Sequence, residues 1–291
     1  MQFLILAVLA SVSVSILLKV ARRQGFAISH AIAINYVVAT VCCWLFLRPS
    51  FANSEVLVAN WPIFATLGVL LPSVFIIMGK AVANVGIVKS DAAQRLSLFL
   101  PILAAFTLFG EPLTGIKLTG IVLAFIALCA LVYGGKSGSG SGTNLLRSAL
   151  LLFGVWTGYG VIDILFKQMA KTGAGFSAIL FVSFVLAGIC MFIYLAIKGQ
   201  RWSARDLIAG IILGGLNFAN ILFYIRAHQA MKEDPSLVFA GMNLGVICLG
   251  TLVGAVLFRE RVRAINAIGI ALAIAAIVVL FYGQTLLSAF N

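Results

Sequence analysis

The sequence predicts an all-α membrane protein of ten transmembrane helices arranged as two inverted-topology five-helix repeats, and three observations predict it. The chain is 63% hydrophobic and 10% charged, with a mean hydropathy of +1.15, whereas a soluble domain carries roughly a quarter charged residues, so a soluble fold is excluded. Apolar stretches recur near the roughly 20 residues that a helix needs to cross a hydrocarbon core about 30 Å thick. The third observation is an internal repeat. A shift of 149 residues lays Leu108-Phe109-Gly110-Glu111 on Leu257-Phe258-Arg259-Glu260, Gly120 on Gly269, Leu123-Ala124 on Leu272-Ala273 and Tyr133-Gly134 on Tyr282-Gly283. Glu is rare in this chain, so its recurrence at one register is no by-product of apolar composition. A shift of 148 aligns Lys19 with Lys167 and Gly25 with Gly173. Five spans per copy is an odd number, which forces tandem copies into opposite orientations, the plan of many secondary transporters.

The spans are expected at 2–20, 29–47, 62–83, 88–110, 113–134, 145–167, 177–198, 206–228, 235–258 and 262–283. Residues 1–134 form the first repeat, the Gly/Ser-rich segment 135–144 a flexible linker, and 145–291 the second repeat. Pro62 and Pro235 fall at first helical turns, where a missing N–H costs nothing, and Asp234 and Ser29 are candidate caps. The apolar run from Met1 to Leu18 reads as the first span, because its charges, Lys19, Arg22 and Arg23, follow it rather than precede it.

The net charge of +12 comes mostly from Lys and Arg in the connections, where they anchor to headgroups, so nucleic acid is not an expected partner. Lys19 and Lys80 are expected to snorkel to a membrane face. Cys42, Cys43, Cys129, Cys190 and Cys248 all lie in apolar runs without metal-ligand spacing, and no metal or other cofactor is expected. Lys and Arg are concentrated on the side of the loops after spans one, three, five, seven and nine, which on the positive-inside rule places both termini outside.

An ionisable or amide group at membrane depth is costly and marks function unless it pairs locally. Asp91 and Arg95 stand four apart at the start of span four, suited to an intrahelical pair, with Arg95 deep enough to meet an anionic group. Gln94 falls on Asn243 under the 149 shift, giving amides at equivalent places on spans four and nine. Span six carries Trp156, Tyr159 and Asp163 on one stripe, with Lys167 a turn on. Asp163 is the one carboxylate within a span and away from its very start or end, and is the proton-coupling candidate, with a pair to Lys167 as the alternative; Trp156 or Tyr159 would suit a cation–π contact. Asn217, Asn220 and Tyr224 form a polar stripe on span eight that must face protein or water. Asn35 and Tyr36 read as interhelical contacts. Pro72 and Pro101 interrupt spans three and four, and Gly250, the equivalent of Pro101, stands among Gly241, Gly245 and Gly254 on span nine; all three are gating candidates, with close helix packing as the alternative for the glycines.

The paired Phe-x-Glu ends before a Gly-containing helix, with Trp156 early in the second half, resemble the EamA-type branch of the drug/metabolite transporter superfamily over nearly the whole chain; the first half departs by lacking a Trp in span one. The resemblance implies ten helices, a cavity lined mainly by spans one, three, four, six, eight and nine, cytoplasmic termini in conflict with the charge count, and movement of small metabolites across a cell inner membrane. The expected function is secondary active transport of a small polar or amphipathic organic solute by a monomer in the lipid bilayer, coupled to protons through Asp163. The alternatives are a sugar permease of the rhamnose-transporter kind and a membrane-embedded enzyme, the latter opposed by two histidines, His30 and His228, far apart in sequence.

Overall fold

The computed structural model describes residues 2–52, 54–97, 99–100, 104, 115–133, 145–171, 175–199, 202–230, 235–259 and 263–290. Pro101, Glu111, Asp234, Glu260 and the Gly/Ser linker lie outside them, as does the side chain of Lys167. The described residues form helices and no strand. In chain order these are α1 (Gln2–Arg23), α2 (Ile28–Cys42, continued by a π-helical turn Cys43–Leu47), α3 (Ser54–Ala59), α4 (Trp61–Asn84), α5 (Ile87–Leu96), α6 (Gly115–Tyr133), α7 (Leu145–Lys171), α8 (Phe176–Lys198), α9 (Ala204–Ala230), α10 (Pro235–Val256) and α11 (Ala264–Phe290). Among the described residues six helical stretches are long and apolar enough to cross a membrane: α1, α2 with its π turn, α4, most of α7, α8 and α9. Shorter apolar stretches occupy Gly241–Val256 and Ala264–Val279.

The distribution of polarity is that of a chain dissolved in lipid. Trp44, Leu45, Phe46, Trp61, Val69 and Ile197 point outward, while Lys19, His30, Asn35, Lys89, Asp91, Asp206, Asn243 and Asn266 are buried. A soluble fold would reverse that arrangement, because water stabilises exposed charge and lipid does not. The chain is a multi-pass α-helical membrane protein.

Between helices in lipid no hydrophobic effect drives association, so close van der Waals approach must supply the packing energy. Glycine supplies that approach here. A Cβ at Gly210 would lie 2.5 Å from Ile34 Cβ, and one at Gly214 would lie 2.6 Å from Val38 Cβ, so α9 seats on α2 only with glycine at both places. Gly154 and Gly158 let α7 lie against Ile77 and Val74 of α4, and Gly241 and Gly245 let α10 lie against Leu4 and Val8 of α1. Further packed pairs are α1 with α9, α4 with α8, α2 with α8, α5 with α7 and α10, and α6 with α11.

Several expectations are corrected. Ser29 does not cap α2: the helix begins at Ile28 after Ala27, no side chain caps it, and the Ala27 N–H instead donates to Asp206 Oδ1 of α9 at 2.9 Å. Lys19 does not snorkel; it is buried, with its ammonium 4.7 Å from the Phe258 ring centre, a cation–π contact that offsets its desolvation. Pro72 does not interrupt span three, since α4 runs through it as one helix and only a single N–H donor is lost. The regular helix at the start of span four is interrupted after Leu96 by a turn at Ser97; Phe99, Leu100 and Ala104 are again helical, and residues 105–110 of the expected span lie outside the described residues. The reason is local: Leu100 precedes a proline and its N–H bonds Ser97 O at 3.0 Å, one residue nearer than α-helical pairing requires.

Candidate functional site

The early end of α5 leaves the Leu96 carbonyl without its helical donor. The Trp156 indole N–H of α7 supplies one at 3.0 Å, and the ring packs edge-on against Phe125, with centroids 5.2 Å apart. Trp156 is therefore buried and committed to joining α5, α6 and α7. It stands behind the site as an anchor, and its face is taken by aromatic neighbours.

One turn before that junction, Asp91 and Arg95 project from α5 toward α1. Each is met by a serine: Ser15 Oγ donates to Asp91 Oδ1 at 2.6 Å, and Arg95 Nη2 donates to Ser11 Oγ at 2.7 Å. The two serines are four residues apart, like the pair they serve, so two helical turns run side by side with matched rungs. Asp91 is only 2% exposed and also touches α10, where a Cβ at Gly250 would come within 2.9 Å of its Oδ2. Gly250 is thus the point where α10 clears the carboxylate.

Arg95 is only partly enclosed. Asp91, Tyr224, Tyr159 and Asp163 all act electrostatically on its guanidinium, which places groups from α5, α7 and α9 around one cation. Its Nε is buried and has no hydrogen-bond partner among the described residues. Asp163 is accessible although it lies mid-helix on α7, and Arg95 is the charge that acts on it. Among the described residues it makes no hydrogen bond. Accessible surface on a carboxylate that shares its surroundings with a guanidinium and two tyrosines belongs to a space inside the bundle, since a lipid-facing carboxylate would have neither.

The other predicted residues divide between this junction and a second one. Tyr159 and Tyr224 belong to the Arg95 cluster; Tyr224 also meets His228 edge-on at 4.7 Å between ring centres. Asn220, one turn before Tyr224, has a buried Oδ1 without a partner among the described residues. Asn217 instead donates from Nδ2 to Asn35 Oδ1 at 3.2 Å, within the glycine-lined seam of α2 and α9. Gln94 is half-buried on α5 and Asn243 buried on α10, the helix packed beside it.

Ser11 and Ser15 escaped the sequence reading. A signal existed: under the 148 shift Ser11 falls on Tyr159 and Ser15 on Asp163. The residues that flank the α5 pair from α1 and those that face it from α7 thus share one register under that shift.

A protein of Haemophilus influenzae described as uncharacterized is 54% identical over 291 residues, covering 97% of this chain and 98% of its own. The chain belongs to that protein's family. No known family profile matches the chain. A solved structure described only as the crystal structure of a protein aligns over 96% of this chain and 95% of its own with a TM-score of 0.60 at 15% identity. That likeness extends to the fold alone.

Proposed function

We propose that this protein is a secondary active transporter of a small polar or amphipathic organic solute, built as two inverted five-helix repeats with ten spans, of the EamA-type drug/metabolite kind and resident in a cell inner membrane. The observation that carries the reading is Asp163: an accessible carboxylate facing a guanidinium deep in an apolar bundle has no packing role, and a solute or proton path accounts for keeping it there.

The packing supports the repeat. If α1, α2, α4, α5 and α6 correspond to α7, α8, α9, α10 and α11, then the contact of α1 with α9 has its counterpart in α7 with α4. The contact of α2 with α9 likewise matches α8 with α4, and α1 with α10 matches α7 with α5. The pairs α2–α8, α5–α10 and α6–α11 each join a helix to its own equivalent. A two-fold relation between the halves produces this pattern, and binding near the midplane between repeats is how inverted-repeat transporters work.

Thiol labelling tests the reading. In a background with the five cysteines replaced, Asp163→Cys in membrane vesicles should react with an impermeant maleimide applied from either side, and the two reactions should compete. Labelling from one side only, or from neither, would sink the proposal; labelling from both accompanied by ionic conductance would indicate a channel instead.

A further inference from the structure

We propose that the solute carries a carboxylate seated on Arg95, and that it binds together with one proton taken up by Asp163. This rests on the transporter reading and names the substrate class of the same site.

The guanidinium is half-used. Nη2 holds Ser11, while the buried Nε–H points at no acceptor among the described residues. A planar fork with Nε free is suited to two parallel N–H···O bonds, which a carboxylate accepts and a hydroxyl or amide oxygen does not match. Nearby, Tyr159 and Tyr224 offer hydroxyl groups within the electrostatic reach of the same cation, so an arriving carboxylate meets donors on several sides. An amine or quaternary ammonium would have to sit beside a like charge.

Charge balance then requires the proton. Without solute, the one cation Arg95 already lies among two carboxylates, Asp91 and Asp163. A solute carboxylate adds a further negative charge where screening is weak. Asp91 is poorly placed to relieve it, because it is buried and its Oδ1 already receives the Ser15 hydroxyl. Asp163 is accessible and makes no hydrogen bond among the described residues, so it can take a proton from water without breaking a contact. The groups facing it are Arg95 of α5, Tyr224 of α9 and Tyr159 on its own helix. Lys167 follows one turn later with its side chain outside the described residues. The other helices packed on α7, which are α4, α6 and α8, bring no charge to it among the described residues. The overall step is solute carboxylate plus one proton entering the site with no change in its net charge.

The test uses the full-length protein in detergent and follows thermal unfolding with benzoate, 3-phenylpropionate, lactate and succinate, each against its primary amide, between pH 6 and 8. At least one carboxylate should stabilise where its amide does not, and its apparent Kd should rise about tenfold per pH unit at the upper end, the slope of one proton taken up. Asp163→Asn, which carries the neutral form permanently, should still bind that carboxylate but with no pH dependence. Arg95→Gln should abolish the stabilisation; if that variant does not fold, Arg95→Lys, which keeps the charge and loses the fork, should weaken binding about tenfold or more. Equal stabilisation by carboxylate and amide, absence of stabilisation by every carboxylate, or a pH-independent Kd in the unaltered protein would each overturn the proposal. Stabilisation by a cationic or neutral solute instead would overturn it too, while two-sided labelling at position 163 would leave the transporter reading standing.

Discussion

In the first half α1 lies against α4, with Leu18 reaching the α4 backbone at Gly79, and α2 packs on α4 as well. Under the proposed repeat the corresponding helices of the second half are α7, α8 and α9, and among the described residues neither α7 nor α8 packs on α9 to a similar extent. On that proposal the five-helix plan is closed in one copy and parted in the other. The parting lies where Tyr159 and Asp163 of α7 face Tyr224 of α9, which explains why a carboxylate in mid-helix is accessible. On the proposed inverted repeat, the difference teaches that the two halves need not be symmetric in any one state: exchanging the two arrangements would close α7 on α9, part α1 from α4, and expose the Arg95 site from the other face of the membrane.

The sharpest way to break this contrast is to unseat α9, the helix that stands apart from α7 and α8 and is held by its seam with α2. Gly214→Leu drives a side chain into Val38 and the Asn35 backbone, 3.0 Å away, and should cost about 3 kcal/mol or prevent folding. Gly215→Leu, one residue on, meets nothing within 4 Å and should be close to neutral by thermal unfolding in detergent. Next in size, Ser15→Ala removes the donor to buried Asp91 and should cost about 1.5 kcal/mol, an effect that should vanish when Asp91 is already Asn. Asn217→Ala breaks the Asn35 bond and should cost about 0.6 kcal/mol while leaving ligand stabilisation intact, because that amide belongs to the seam of α2 and α9. Smallest of all, Asp163→Asn should change stability by less than about 0.5 kcal/mol, since its carboxylate is accessible and makes no hydrogen bond among the described residues. A large loss there would mean that Asp163 holds the bundle together and is not waiting for a ligand.

The membrane character was legible because hydropathy and span length are properties of the sequence itself. Arg95, Asp163, Tyr159 and Tyr224 could be picked out singly, because polar groups are rare in the spans, and their meeting is what three-dimensional packing adds. Trp156 shows the limit of a stripe read on one helix. Its function as an anchor depends on a carbonyl at Leu96, which is freed only because α5 ends early. Asn217 shares a stripe with Tyr224, yet the rise of about 10 Å along α9 between them leaves one in the α2 seam and the other near Arg95. Ser11 and Ser15 were missed because serine is common in apolar helices, where it bonds its own backbone; only the equivalence with Tyr159 and Asp163 distinguishes them.

The most direct test of the exchange is a pair of spin-label distances, one between Leu9 on α1 and Val69 on α4, the other between Val161 on α7 and Arg226 on α9, all four of them outward-facing positions. On adding a stabilising ligand in lipid nanodiscs, the distribution for α7–α9 should gain a shorter component while that for α1–α4 gains a longer one. Two distances that stay fixed, or that shorten together, would contradict the account.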